Sequence, residues 1–397
     1  MFIIVPLIIL ASVEVNALYL KQVVFFSRHN IRAPLSKTLD ELTEKKWPEW
    51  KTESAHLTPK GALLEGYMGE YFSKWLKAEN FFQDGHMDEH GCPNSVHIYA
   101  NAPQRTVATA KAFTKSAFPN CDIKVNFKEN VIMDPVFHPV LRDTSAAFRE
   151  IVINDIQKKL DELKLEDAYE LINNIVEIKS SKLCVIKGFC DLTKRKDHVL
   201  YEIGEEPNLY GPLSIGNNIV DVFLMSLYQG HKMEDIAWGK IRTPSDWKIL
   251  TKITKENQNV RFNGTFSKHL AEPLLDYMSN LFLNNSAPKL TGLFGHDSNL
   301  KTVMSALGFK PYELPRQHEL TPIGGKLVFQ KWYDVVSDRD LLKVDYIYPS
   351  VGHLRFSTKF WDEEPPETFV MQLHKCEIDE NGFCPWNDFV NILRSLN

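Results

Sequence analysis

Apolar runs that end abruptly in charge are the clearest pattern along this chain. Val23-Val24-Phe25-Phe26 runs through Ser27 into Arg28, His29 and Arg32. The stretch SVHIYA gives way to NAPQ and then Arg105, and KLTGLF ends at Gly295-His296-Asp297. Short apolar runs bounded by such junctions predict buried strands. Each is followed by a helical pattern: TPKGALLEGYMGEYFSKWLKAEN, RTVATAKAFTKSAF and LKTVMSALGFKP. In the last of these Leu300, Val303, Met304 and Leu307 recur at i, i+3, i+4 and i+7, Gly308 is a stop signal and Pro311 lies just beyond. GGKLVFQKWYD and LLKVDYIYP predict two further strands.

This alternation predicts an α/β fold with a mixed, largely parallel central sheet flanked by helices, built from residues 18–140 and 286–397. Residues 141–285 have a different texture. REIVINDIQKKLDELK, DAYELINNIVEIK, IGNNIVDVFLMSLYQG and HLAEPLLDYMSNLFLNN carry helical spacing and little strand signal. They predict a helical cap domain inserted over the functional edge of the sheet. Ligands in such sheets bind beyond the carboxyl ends of the strands.

The N-terminal residues 1–17, MFIIVPLIILASVEVNA, hold an apolar run too short to span a bilayer, followed by the small-residue cleavage site Val15-Asn16-Ala17. They predict a secretory signal peptide, hence a secreted, extracellular product, periplasmic if the source is bacterial. The six cysteines agree with an oxidising compartment. Their order suggests the local pairs Cys92–Cys121, Cys184–Cys190 and Cys376–Cys384, with other connectivities left open. Asn263 and Asn284 open N-glycosylation sequons. A net charge of -5 without a long basic run argues against nucleic acid, and no stretch beyond the leader is apolar enough for a membrane anchor. A monomer or homodimer acting on a small molecule is expected. His86 and His90 of GHMDEH have metal-ligand spacing without a third ligand, so a surface loop beside Cys92 is expected, and no metal.

If the three charge-terminated strands are neighbours, Arg28, His29 and Arg32 meet Arg105, His296 and Asp297 along one edge. Three guanidiniums among imidazoles suit a dianion, because arginine's planar fork matches phosphate oxygens and keeps its charge at any working pH. Adjacent helix N-termini add N–H donors. Phosphoryl transfer needs mainly positioning and charge stabilisation, which such a cluster supplies. A histidine among arginines is held partly deprotonated, as a nucleophile requires. Asp297 is placed to protonate an alkoxide leaving group and then to activate water. An acid has to begin protonated, so activity is expected to favour acidic pH.

Arg28-His29-x-x-Arg32-x-Pro34 resembles the RHGxRxP signature of the histidine acid phosphatases, and Gly295-His296-Asp297 is similar to their distal HD motif. RHNIRAPL, KWPEW, YMGEY, YANAPQRTVATA, GHDSN, TPIGGK and DENGFCP are similar to the glucose-1-phosphatase group within that family, and the likeness runs from about residue 20 to the C-terminus. The resemblance implies a core like that of histidine phosphatases and phosphoglycerate mutases, local cysteine pairs, and no metal or cofactor. It implies His29 as the nucleophile forming a phosphohistidine, Arg28, Arg32, Arg105 and His296 as phosphate ligands, and Asp297 as proton donor. Asn30 stands where most members have glycine, and its side chain is expected at the pocket floor. Leu35 is expected to narrow the mouth, and Glu206 to accept hydrogen bonds from sugar hydroxyls. The function so implied is a secreted acid phosphatase of small phosphomonoesters, sugar phosphates such as glucose 1-phosphate foremost. The alternatives are a broader acid phosphatase or phytase, and a silent secreted binding protein that keeps the fold.

Overall fold

The structure is a computed structural model and describes residues 18–396 except 37, 83, 84 and 362. The expected signal peptide at 1–17 lies outside the described residues. The strands are β1 (Leu18–Arg28), β2 (Val96–Ala100), β3 (Val125–Asn126), β4 (His198–Leu200), β5 (Asn208–Tyr210), β6 (Leu290–Gly295), β7 (Lys326–Asp334), β8 (Arg339–Tyr348), β9 (Glu367–Val370) and β10 (Phe383–Pro385). The helices are α1 (Leu39–Leu42), α2 (Pro59–Ala78), α3 (Gln104–Ala117), α4 (Ala146–Asp161), α5 (Glu166–Val176), α6 (Lys182–Lys187), α7 (Pro212–Gln229), α8 (Pro244–Phe262), α9 (Ser267–Leu283), α10 (Asp297–Leu307), α11 (Val351–Phe356) and α12 (Trp386–Leu396).

The central sheet is mixed, as expected, with strand order β10-β8-β7-β1-β6-β2-β3 and β9 paired to β8. β1, β6, β2 and β3 run parallel, while β7 pairs antiparallel with β1 and leads into an antiparallel half. β1 lies in the middle, and its apolar run is buried on both sides. Val23 and Phe25 pack with Phe72 of α2 and Phe113 of α3, whereas Val24 and Phe26 pack on the opposite face with Met278 of α9 and Val303 of α10. Strand side chains alternate between faces, so one apolar stretch fills two cores.

Helix ends follow from local chemistry. Thr58 caps α2 by accepting from Gly61 N at 3.0 Å, with Pro59 at the first helical position. In the region expected to form the cap, α4 to α8 and the β4–β5 hairpin surround a core in which Ile172, Ile219, Phe223, Leu250 and Val260 are buried, and Ile31, Leu64 and Ile323 join it from the flanking segments. α9, expected within the cap, packs on the sheet: Leu274, Leu275, Met278 and Phe282 share a core with Leu293 and Phe329. HLAEPLLDYMSNLFLNN specifies an amphipathic helix but not the surfaces it meets, and Leu270 of the same helix is buried in the core shared with α4 to α8. The pairs Cys92–Cys121, Cys184–Cys190 and Cys376–Cys384 all form.

An ion pair is sealed beneath the end of β1. Lys326 Nζ on β7 lies 2.6 Å from Glu65 Oε1 on α2, with both side chains at 0% exposure. The ammonium also donates to Ser27 Oγ at 3.0 Å and Gly324 O at 3.1 Å, and the second carboxylate oxygen of Glu65 accepts from Asn30 Nδ2 at 2.9 Å. Removing one partner strands the other charge out of water. Glu65→Ala is therefore expected to lower stability by about 3–5 kcal/mol, and Glu65→Leu combined with Lys326→Met by much less. Denaturant unfolding midpoints at an unchanged slope check this.

Candidate active site

Strand pairing does the gathering. In the parallel register Arg28 sits beside Gly295 and Phe294 beside Ala100, so the three charged junctions leave the sheet side by side. His29 N donates to Gly295 O at 3.0 Å, and the His29 and His296 rings lie 5.5 Å apart with planes at 67°. Arg105 enters from the first turn of α3 and Asp297 opens α10. On the other flank Arg28 N donates to Gly325 O at 3.0 Å and Gly324 N to His29 O at 3.2 Å. Gly324 has φ +67°, and a Cβ there would stand 2.5 Å from Asn30 Nδ2. Backbone and space both demand glycine at this turn.

The six residues singled out in the sequence, Arg28, His29, Arg32, Arg105, His296 and Asp297, line one cavity of ≈ 230 Å³. His29 Nδ1 is 2.9 Å from Asn30 O. A carbonyl only accepts, so Nδ1 carries the proton and Nε2 keeps a free lone pair. Burial and then the charge of Arg105 hold the His29 imidazole well below its usual range, with His296, Arg28 and Arg32 acting in the same direction. Burial and Arg105 do the same to His296.

The guanidiniums are unequally partnered. Arg28 Nη1 meets Glu319 Oε1 at 2.7 Å and Thr321 O at 2.6 Å, and its Nη2 lies 3.4 Å from Asp297 Oδ2. Arg32 grips Asp221 with both terminal nitrogens, at 2.8 and 3.0 Å. The Arg105 side chain makes no hydrogen bond or ion pair among the described residues, and burial, followed by repulsion from Arg32, pushes it down to about 10, still cationic at neutral pH. The Nε atoms of Arg28, Arg32 and Arg105 and the Nε2 of His296 are buried without a protein partner. Buried donors of this kind require an acceptor, and an anion with several oxygens supplies it.

Asp297 is 37% exposed and accepts from Gln258 Nε2 at 3.2 Å and Ser298 N at 3.0 Å. Burial would raise its pKa, but Arg28, His296, Arg32 and the Ser298 N–H together outweigh it and hold the carboxyl below its usual range. The free site therefore carries an ionised Asp297.

Residues 19–184 match the model of the histidine phosphatase superfamily (branch 2). A glucose-1-phosphatase of Salmonella typhimurium is 41% identical over 95% of this chain and 92% of its own, and one of Providencia rettgeri is 37% identical over 97% and 94%. The chain belongs to this superfamily. It is a phosphomonoester hydrolase. Its fold is also similar to the phytase of Hafnia alvei, with a TM-score of 0.84 at 24% identity over 96% of this chain and 97% of that one.

Beyond the clustered six, Leu35 lines the mouth of this histidine phosphatase's cavity at 45% exposure. Glu206 lines its wall, where it accepts from Ser298 Oγ at 3.5 Å and pairs with Arg261 Nη2 at 3.4 Å, and burial raises its pKa. Asn30 departs from expectation: it is not among the lining residues. Its Nδ2 is held by Glu65 and its Oδ1 accepts from Ile31 N at 2.9 Å, which turns the amide into the protein. The sequon residues Asn263 and Asn284 are both exposed.

Sequence reasoning did not find Asn217 and Asp221 of α7, Asn257, Gln258 and Arg261 of α8, or Glu319. A trace of them was available. Asn217, Asn218 and Asp221 fall at i, i+1 and i+4, a polar stripe on an otherwise apolar helix. α8 carries so many polar residues that its apolar period does not stand out. Because the surrounding guanidiniums oppose imidazolium, the His29 and His296 resonances are expected to titrate well below pH 6.5 in the free protein, and NMR of labelled histidines checks it.

Proposed function

We propose that this chain is an exported acid phosphatase of small phosphomonoesters, sugar phosphates such as glucose 1-phosphate foremost, working through a phosphohistidine on His29. The observation that carries the reading is the free Nε2 of His29 facing the same cavity as unpartnered donors of Arg28, Arg32, Arg105 and His296. A phosphate seated among those donors presents its phosphorus to Nε2. The P–N bond forms as the P–O bond to the leaving group breaks, and the three arginines with His296 carry the charge on the equatorial oxygens. Water then attacks the phosphohistidine, phosphate departs and His29 returns to neutral.

Asp297 stands beside this path as the proton donor to the leaving oxygen and then the base for water. In the free site it is ionised, so its proton arrives with the substrate. A phosphomonoester monoanion, abundant below about pH 6, brings that proton in. Its phosphate also offsets the field of Arg28 and Arg32 that keeps Asp297 ionised. The acidic preference thus comes from the proton count of the complex. kcat/KM for an alkyl phosphate is expected to fall as pH rises through about 6, and a pH–rate profile checks it.

The rest of the cavity favours hydroxyls over further phosphates. Glu206 and Asp221 are paired with Arg261 and Arg32, and Asn217, Asn257 and Gln258 bring neutral donors and acceptors. A hexakisphosphate would find no unpaired cation in this part of the lining for its outlying phosphates. Export accords with three disulfides and with the absence, among the described residues, of a helix long and apolar enough to cross a membrane.

His29→Ala is expected to abolish turnover with an unchanged unfolding midpoint; substantial residual turnover in the folded variant shows the nucleophile to be elsewhere. Asp297→Asn is expected to cost roughly 10²–10⁴-fold on alkyl phosphates and far less on aryl phosphates, whose leaving groups need little protonation. A panel comparing kcat/KM for glucose 1-phosphate and inositol hexakisphosphate is expected to favour the former, and the reverse order supports the phytase reading.

A further inference from the structure

A second cavity, of ≈ 420 Å³, shares no lining residue with the catalytic one. It opens where α10 meets the end of α8 and the segment after α10. Lys159, Lys301 and Lys310 line it beside Met304, Phe309 and Tyr312, and no carboxylate is among its lining residues.

The three ammoniums are not equally provided for. Lys159 has Asp155 at 2.6 Å and the Asn263 carbonyl, and among the described residues Lys310 has only the neutral Gln372 amide oxygen at 3.2 Å. Lys301 makes no hydrogen bond or ion pair among the described residues. Burial pushes it down to about 8; Glu256 opposes this from beyond ion-pair reach, and Lys159 adds to it. Lys301 is half-buried and its ammonium has no carboxylate within ion-pair reach, so an anion entering the cavity would supply the counterion it lacks. The remaining wall of Met304, Phe309 and Tyr312 asks for apolar surface.

We propose that this cavity binds a small organic anion, an aromatic or otherwise apolar body bearing one acidic group, with Lys301 as its principal charge partner. The acidic group reaches Lys301 and Lys310, and the body lies over Phe309 and Tyr312. Nothing in this assignment depends on the phosphatase reading.

The test is isothermal titration of the full chain with 2-naphthalenesulfonate, which a phosphatase does not hydrolyse, with vanadate present to fill the catalytic cavity. One saturable event per chain is expected. Lys301→Met, which keeps the side chain's length, is expected to weaken it about tenfold or more, and Lys301→Arg to preserve it. No saturable binding, or equal affinity in Lys301→Met, overturns the proposal. An event insensitive to Lys301→Met but lost in Arg105→Ala belongs to the catalytic cavity and also counts against it. Thermal unfolding of each variant shows that the comparison is between folded proteins, and Lys310→Gln offers a second reading of the same contact.

Discussion

Like charges gathered in a pocket poor in water repel one another, and two guanidiniums roughly 5 Å apart at an effective dielectric near 20 do so by about 3 kcal/mol. The cluster at the sheet edge meets this cost with carboxylates placed singly. Glu319 and Asp297 attend Arg28, and Asp221 attends Arg32. Arg105 alone is left without one, so the balance is completed by whatever anion enters. These pairings also fix the architecture. Asp221 comes from α7 and Arg32 from the segment after β1, so the electrostatics that make the pocket tolerable also dock the cap onto the sheet.

Beneath that layer the chain spends a second, wholly buried set of polar groups on holding one backbone segment still. Lys326, Glu65 and the Asn30 amide form a connected network under the end of β1, and Gly324 and Gly325 clasp the same segment from the side. The segment carries the His29 ring, whose Nδ1 is tied to the carbonyl of the next residue. The direction of the Nε2 lone pair is therefore set by main chain rather than by a mobile partner, which is the positional control that the proposed in-line displacement would demand.

The catalytic edge was legible because its residues are local to strand ends. RHNIR, GHD and the arginine after NAPQ each follow an apolar run, and parallel pairing brings such junctions together. The groups that balance them were not legible. Asp221, Gln258 and Glu319 stand on helices and loops whose approach to the edge is decided by packing, and no spacing rule links residue 32 to residue 221. Asn30 was read as a pocket residue because its neighbours are. A strand end reverses the side on which successive residues lie, and Glu65, unremarkable within a helical pattern, draws its amide inward. The helix at 267–283 was visible as a helix, but its packing on the sheet was not, since amphipathicity names a face but not its partner.

The two walls of the catalytic cavity come from different parts of the chain. Arg28, His29, Arg32, Arg105, His296 and Asp297 gather at the ends of the parallel strands, while Glu206, Asn217 and Asn257 come from the segment between β3 and β6. Mutation can therefore recast the inserted wall while the reactive edge stays constant. On the proposed reading, a substitution in that second wall alters which ester fits while leaving every phosphate ligand in place.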